Sequence, residues 1–154
     1  LIKVDKIEII NTSKHKKNND ITMRLPFHPI LAVEKWVERR LKPVGGVGSE
    51  ILLLRVKDLS VIENKLKGGK SIKDFFTEQS HKYVFNMEVR MEILAAGSLK
   101  SFTNVNVIRH LTLSEGLSVN ERDIRLHQGT KNLMHDFERE IFMNLSKYFH
   151  LWLG

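Results

Sequence analysis

The chain has 154 residues, no cysteine, and 25 Lys and Arg against 18 Asp and Glu, a formal charge of +7. This is enough chain for one domain, 1–154, with its own core, and the missing thiols exclude disulfides, cysteine nucleophiles and thiolate metal sites. The basic balance favours anionic partners (nucleic acid, phospholipid headgroups or acidic proteins), and no apolar run approaches the ~18 residues that span a bilayer.

Ile2 to Ile10 reads as a first strand. Its apolar parity changes between Ile2 and Val4 and then Ile7 and Ile9, so a bulge is expected near Asp5 and Lys6. Lys14-His15-Lys16-Lys17 follows as the one compact basic cluster. A solvated loop is the plain reading of it, and an anion-binding loop the sharper one. Ile21 to Leu25 is expected to be a short edge segment.

A helix is expected from about Pro29 to Lys42, because proline suits the first helical position and Ile30, Val33, Trp36, Val37 and Leu41 fall on one face. Glu38 and Lys42 stand four apart on the solvent side in the favourable order. Pro43 and Gly45-Gly46-Val47-Gly48 are expected to end the helix. Glu50 to Leu66 is a long strand, apolar on both parities at its start, as in a strand covered on both faces or one entering the core at its start. Gly68-Gly69 closes it, and Lys70 to Ser80 reads as an excursion with Phe75 and Phe76 folded onto the core.

The clearest alternation lies in Lys82 to Leu94. Tyr83, Phe85, Met87, Val89, Met91 and Ile93 point one way, with Asn86, Glu88, Arg90 and Glu92 the other, giving one buried and one wet face. Ala95 to Ser98 is a connector of hairpin length, and Leu99 to Leu113 returns with Val105, Val107, Leu111 and Leu113 inward. Arg109 interrupts that inward face, for which a bulge or strand end is the expected cause and a buried functional cation the alternative. Ser118-Val119-Asn120-Glu121 has capping-box spacing and opens a last helix with Leu126, Thr130, Leu133, Met134, Phe137, Ile141, Leu145 and Tyr148 on one stripe. Gly129 costs about 1 kcal/mol in that helix relative to alanine and is the candidate position of a kink. The order β-α-β-β-β-α, with one wet sheet face, predicts an α+β two-layer sandwich: four antiparallel or mixed strands with both helices on one side.

Chemistry is harder to find. Gly45-Gly46-Val47-Gly48-Ser49 lies between helix and strand, the reverse of the strand-loop-helix order of a phosphate cradle. Gly68-Gly69-Lys70-Ser71 ends like a Walker loop, but Asn64 stands where its first glycine belongs. The seven histidines (His15, His28, His81, His110, His127, His135, His150) are scattered without metal-ligand spacing. His127 is expected to meet Asp123 on the helix surface, and Asp58 and Glu63 point to opposite faces of their strand. Trp36 reads as a core anchor or as part of a binding groove, and Arg39 and Arg40 as a solvated face from which one could hold an acidic partner. No catalytic or metal residue and no cofactor is assigned, and the ligand-binding residues stay unknown.

The helix with Trp36, Arg40 and Leu41, the glycines, the strand with Asp58, Val61, Glu63 and Leu66, then Phe75 or Phe76, Gln79, Tyr83 and the last helix around Asp136 together resemble a group of small bacterial envelope lipoproteins. The element order is also similar to that of auxiliary lipoproteins of ABC-type lipid transport and of the lipopolysaccharide-assembly lipoprotein. The resemblance implies a non-enzymatic periplasmic domain, membrane-anchored through a removed N-terminal segment, serving envelope assembly or lipid transport. Its implied partners are an envelope protein or anionic lipid, not nucleic acid. Leu1 is not a methionine, which fits a processed start, and the anchor predicts an exposed Leu1. The expected contact surfaces are the wet face with Glu88, Arg90 and Glu92, an edge strand and the basic loop. The rival is a basic RNA-binding module, which needs aromatic rings on the open sheet face. A hydrolase comes third.

Overall fold

The computed structural model describes residues 1–66 and 80–154. The expected closing glycines Gly68-Gly69, the Walker-like end, Phe75, Phe76 and Gln79 lie outside the described residues.

The strands are β1 (Lys6–Asn11), β2 (Glu50–Leu66), β3 (Ser80–Ala95) and β4 (Ser98–Ser114), and the helices α1 (Pro29–Arg40) and α2 (Val119–Tyr148). They form a mixed sheet in the order β1-β2-β3-β4, with β1 parallel to β2 and the other pairs antiparallel. This is the expected β-α-β-β-β-α sandwich. Tyr83, Phe85, Met87, Val89, Met91 and Ile93 are all fully buried and share one core with Val33, Trp36 and Val37 of α1 and Leu126, Leu133, Phe137, Ile141 and Leu145 of α2. Strict alternation on β3 thus put both helices on one side.

Several expectations need correction. β1 starts only at Lys6, because the chain bends at Val4 and Asp5, the place where the apolar parity changes. Ile2 and Val4 are buried but pair elsewhere: Ile2 bridges Pro43 and Leu153, and the Gly45 amide donates to the Val4 carbonyl. Ile21 to Leu25 is not an edge strand, since Thr22–Arg24 forms a 3-10 turn. The glycines do not stop α1 directly. It ends at Arg40, with Leu41 already extended, and Pro43 restricts Lys42 to extended geometry. Lys42 caps the Glu38 carbonyl instead of meeting its carboxylate.

On β2, a register shift between Val56 and Asp58 moves the core-facing set from Leu52, Leu54 and Val56 to Leu59 and Val61. Leu53 is also buried, on the opposite face, where its register neighbours are Glu8 and Glu92. The Ala96-Gly97 turn has positive φ at both residues, 48° and 77°, as a two-residue hairpin requires. α2 is continuous through Gly129, with no break there. A Cβ at Gly129 would stand 2.5 Å from Phe85 Cζ, so the glycine lets the helix backbone rest on that ring. Tyr148 is exposed, and Phe149 takes the buried place at the helix end.

Candidate ligand groove between the two helices

Local sequence rules place the walls of a groove on one side of the helical layer. Pro26-Phe27-His28-Pro29 leads into α1, and its Pro29 start aims Leu31, Lys35, Trp36 and Arg39 along one wall. The middle of α2 supplies the other wall with His127, Lys131, Met134, His135 and Glu138. The space between them is about 1010 Å³. That is the size of a small-molecule site, at the upper end of the range of roughly 300–1,000 Å³.

Its floor is apolar. Trp36 is 5% exposed and meets Phe137 edge-on, ring centroids 5.1 Å apart. Trp36 is therefore the core anchor and a groove residue at once. Phe27 stacks on His127 at 4.8 Å, which corrects the expected Asp123–His127 pair. Its rim is cationic. Lys35, Arg39, Arg40 and Lys131 face one acid, Glu138, which is held by Arg40 across the helices with Nε and Oε1 2.5 Å apart. The guanidinium is not aligned for a hydrogen bond there, so the contact is electrostatic. Arg40, not Arg39, holds the acid that the sequence left open. His28, His127 and His135 also meet here, 99 and more positions apart in the chain for His28. Among the described residues no three His, Asp or Glu side chains are placed to bind a metal ion.

The indole N–H of Trp36 is buried with no acceptor among the described residues. Such groups are rare in folded proteins and each asks for a reason.

The other candidate surfaces are more fully satisfied. On the wet face, Arg90 donates to Glu92 at 2.6 Å and Arg55 at 3.4 Å, while Lys57 lies 3.5 Å from Glu88. Hydrogen bonding from Arg90 holds the Glu92 carboxyl below its ordinary pKa. Tyr83 and Phe85 lie under the helices and not on this face, so the aromatic platform that base stacking needs is not built from them. Phe102 does point outward, with the Arg90 guanidinium 4.0 Å over its ring.

The basic loop has a structural task. His15 meets Asp20 at 2.8 Å, and the segment covers the second half of the β2 edge through Ile21 to Val61 and Glu63 to Asn19 backbone bonds. Burial pushes the Asp20 carboxyl up, but hydrogen bonds from Thr22 and His15 outweigh it and leave it lowered. Lys14, Lys16 and Lys17 remain exposed. β4 has no strand on its outer edge among the described residues. Leu1 is exposed, as expected.

The glycine run binds no outside anion in this geometry. Its Gly46 and Gly48 amides donate to Asp5 and Glu50, so carboxylates of the chain already fill the place. Glu63 accepts the Tyr83 hydroxyl at 2.7 Å. Asp58 is not part of that contact. It sits beyond the register shift, opposite Glu88.

The groove itself was missed at the level of sequence, apart from the alternative offered for Trp36. The periodicity of α2 showed which residues face the sheet, but not which flank of the helix would lie beside α1.

No protein-family model matches the chain, and no curated protein matches it in sequence. Its fold is similar to that of a minor lipoprotein from Acinetobacter baumannii, with a TM-score of 0.49 and 11% identity over 96% of this chain and 94% of that one. It is also similar to rare lipoprotein B from Shewanella oneidensis, with a TM-score of 0.43 and 12% identity over 92% and 99% of the two chains.

Proposed function

We propose that this chain is the non-enzymatic domain of a bacterial envelope lipoprotein, membrane-anchored on the periplasmic side, and that it works by binding in the α1–α2 groove. Envelope assembly or lipid transport is the setting that the sequence resemblance supports. The observation that carries the binding reading is the groove itself, an apolar floor with Trp36 under a cationic rim. Such a combination recognises a ligand with an apolar body and negative charge. A hydrolytic reading would need a nucleophile and a base held within hydrogen-bond reach; among the described residues the hydroxyl of the groove, Thr130, donates to the Leu126 carbonyl and not to a histidine.

The test of the setting is metabolic labelling of the whole gene product with palmitate, followed by cell fractionation. Label in the protein and recovery with envelope membranes are the expected result. An unlabelled protein in the cytosol would sink the lipoprotein reading while leaving the groove open to test.

A further inference from the structure

We propose that the α1–α2 groove takes a single-chain anionic amphiphile, with its acid group on Lys35, Arg39 and Lys131 and its chain against Leu31, Trp36 and Met134. The proposal deepens the reading of the groove as the binding site and rests on it. Three observations converge. First, Lys35, Arg39 and Lys131 have no acidic partner among the described ion pairs, while Arg40 is already neutralised by Glu138. Cations without an acidic partner, gathered on one rim, attract an anion, and contact with it replaces their lost hydration without breaking an existing ion pair; Arg39 keeps its Nε bond to the Lys35 carbonyl at 3.2 Å.

Second, the Trp36 side chain is nineteen-twentieths buried, and its N–H has no acceptor. That nitrogen is itself closed to solvent, so an oxygen of a bound acid or ester reaches it only through a shift of the ring on binding, and no protein group of the described residues satisfies it. Third, the apolar side of the groove continues onto open surface. Leu31 is 47% exposed, and Phe142, 43% exposed, has its ring 6.3 Å from that of Trp36. Within the groove a chain has apolar contact with Leu31, Trp36 and Met134, and Phe142 lies beside Trp36 outside the lining. The concave shape and the volume near 1010 Å³ suit a small molecule more than a folded acidic protein.

The chain has two tryptophans, so a Trp152→Phe background leaves Trp36 as the reporter. The probes are dodecyl phosphate and laurate, compared with dodecyl maltoside and dodecyltrimethylammonium, all below micelle formation. Both anions should give a saturable change in Trp36 emission. Arg39→Glu and Lys131→Glu, both at exposed positions and each compared at a temperature where its melt shows it folded, should each weaken anion binding by roughly tenfold or more. In calorimetry, Trp36→Phe should weaken binding even where the melt shows the fold intact. Equal affinity for maltoside and anions, or no loss in the charge reversals, would overturn the acid-group proposal and leave the groove reading standing. Tight binding of an acidic amphipathic peptide with no response to any amphiphile would also overturn it, in favour of a protein ligand in the same groove. No response to any of these probes would end both.

Discussion

Arg109 of β4 and Asp136 of α2 are joined by two parallel contacts, Nε to Oδ2 and Nη2 to Oδ1, the second at 3.2 Å. This pair explains why a cation interrupts the inward face of β4. Neither a bulge nor a strand end is present, because the register of β3 and β4 runs unbroken through Phe85 and Arg109. The side chain leaves the core at the sheet edge and clamps the helix that covers it. Arg109 is 43% exposed, so solvent screens the pair, and its worth should be about 1 kcal/mol or less.

That pair should be visible in acid. Hydrogen bonding from Arg109 is the main cause that holds Asp136 below its ordinary pKa, with burial opposing. A depressed folded pKa means that the unfolded chain binds the proton first as pH falls. The stabilisation is therefore present above the unfolded carboxyl value, about 3.9, and disappears as pH drops through the folded one. Asp136→Asn should flatten the fall in melting temperature over that window. An unchanged acid slope in the variant would show that the clamp contributes nothing.

Gly129→Ala offers the sharpest contrast between local and tertiary preference. Helix propensity alone favours alanine by about 1 kcal/mol. The new methyl would stand 2.5, 2.9 and 3.0 Å from three atoms of the Phe85 ring, which is fully buried and cannot retreat into solvent. Overpacking of this kind costs about 1–3 kcal/mol, so the variant should be less stable in urea denaturation. Adding Phe85→Leu should recover part of the loss. A more stable Gly129→Ala protein would mean that α2 does not rest on that ring.

Tyr83 gives an alkaline signature. Burial, then its hydrogen bond to Glu63 and the charge of that carboxylate, push its hydroxyl up to about 12. A raised folded pKa contributes stability that is full below the unfolded value, about 10, and is lost as pH climbs towards the folded one. The difference between the absorbance titrations of the protein and its Tyr83→Phe variant should have its midpoint near 12. A midpoint at 10 would place the ring in water. The variant should lose about 1 kcal/mol, since Glu63 keeps the more distant Arg122, 3.9 Å away.

Much of the scaffold was legible because its signals are local. The alternation of β3 named six core residues, and the spacing of Ser118 and Glu121 named a cap whose two reciprocal bonds are both formed. The bounds of β2, Glu50–Leu66, follow from its apolar run. What stayed hidden depends on residues far apart in the chain. Nothing in the window around Gly129 announces Phe85, and nothing around Arg109 announces Asp136. Phe27 and His127 lie 100 positions apart and stack only because α1 and α2 share one face of the sheet. The groove is of this second kind. Its lining alternates between two helices whose individual stripes record only their contact with the core.

The most direct test of the groove as the binding site is amide chemical-shift mapping of the whole chain titrated with dodecyl phosphate. Saturable shifts should concentrate on Phe27, Leu31, Lys35, Arg39, Lys131 and Met134 and include the indole N–H of Trp36. The wet sheet face with Glu88, Arg90 and Glu92 should stay still. Shifts confined to that face, or to the loop of Lys14, Lys16 and Lys17, would contradict the account and move the site elsewhere on the molecule.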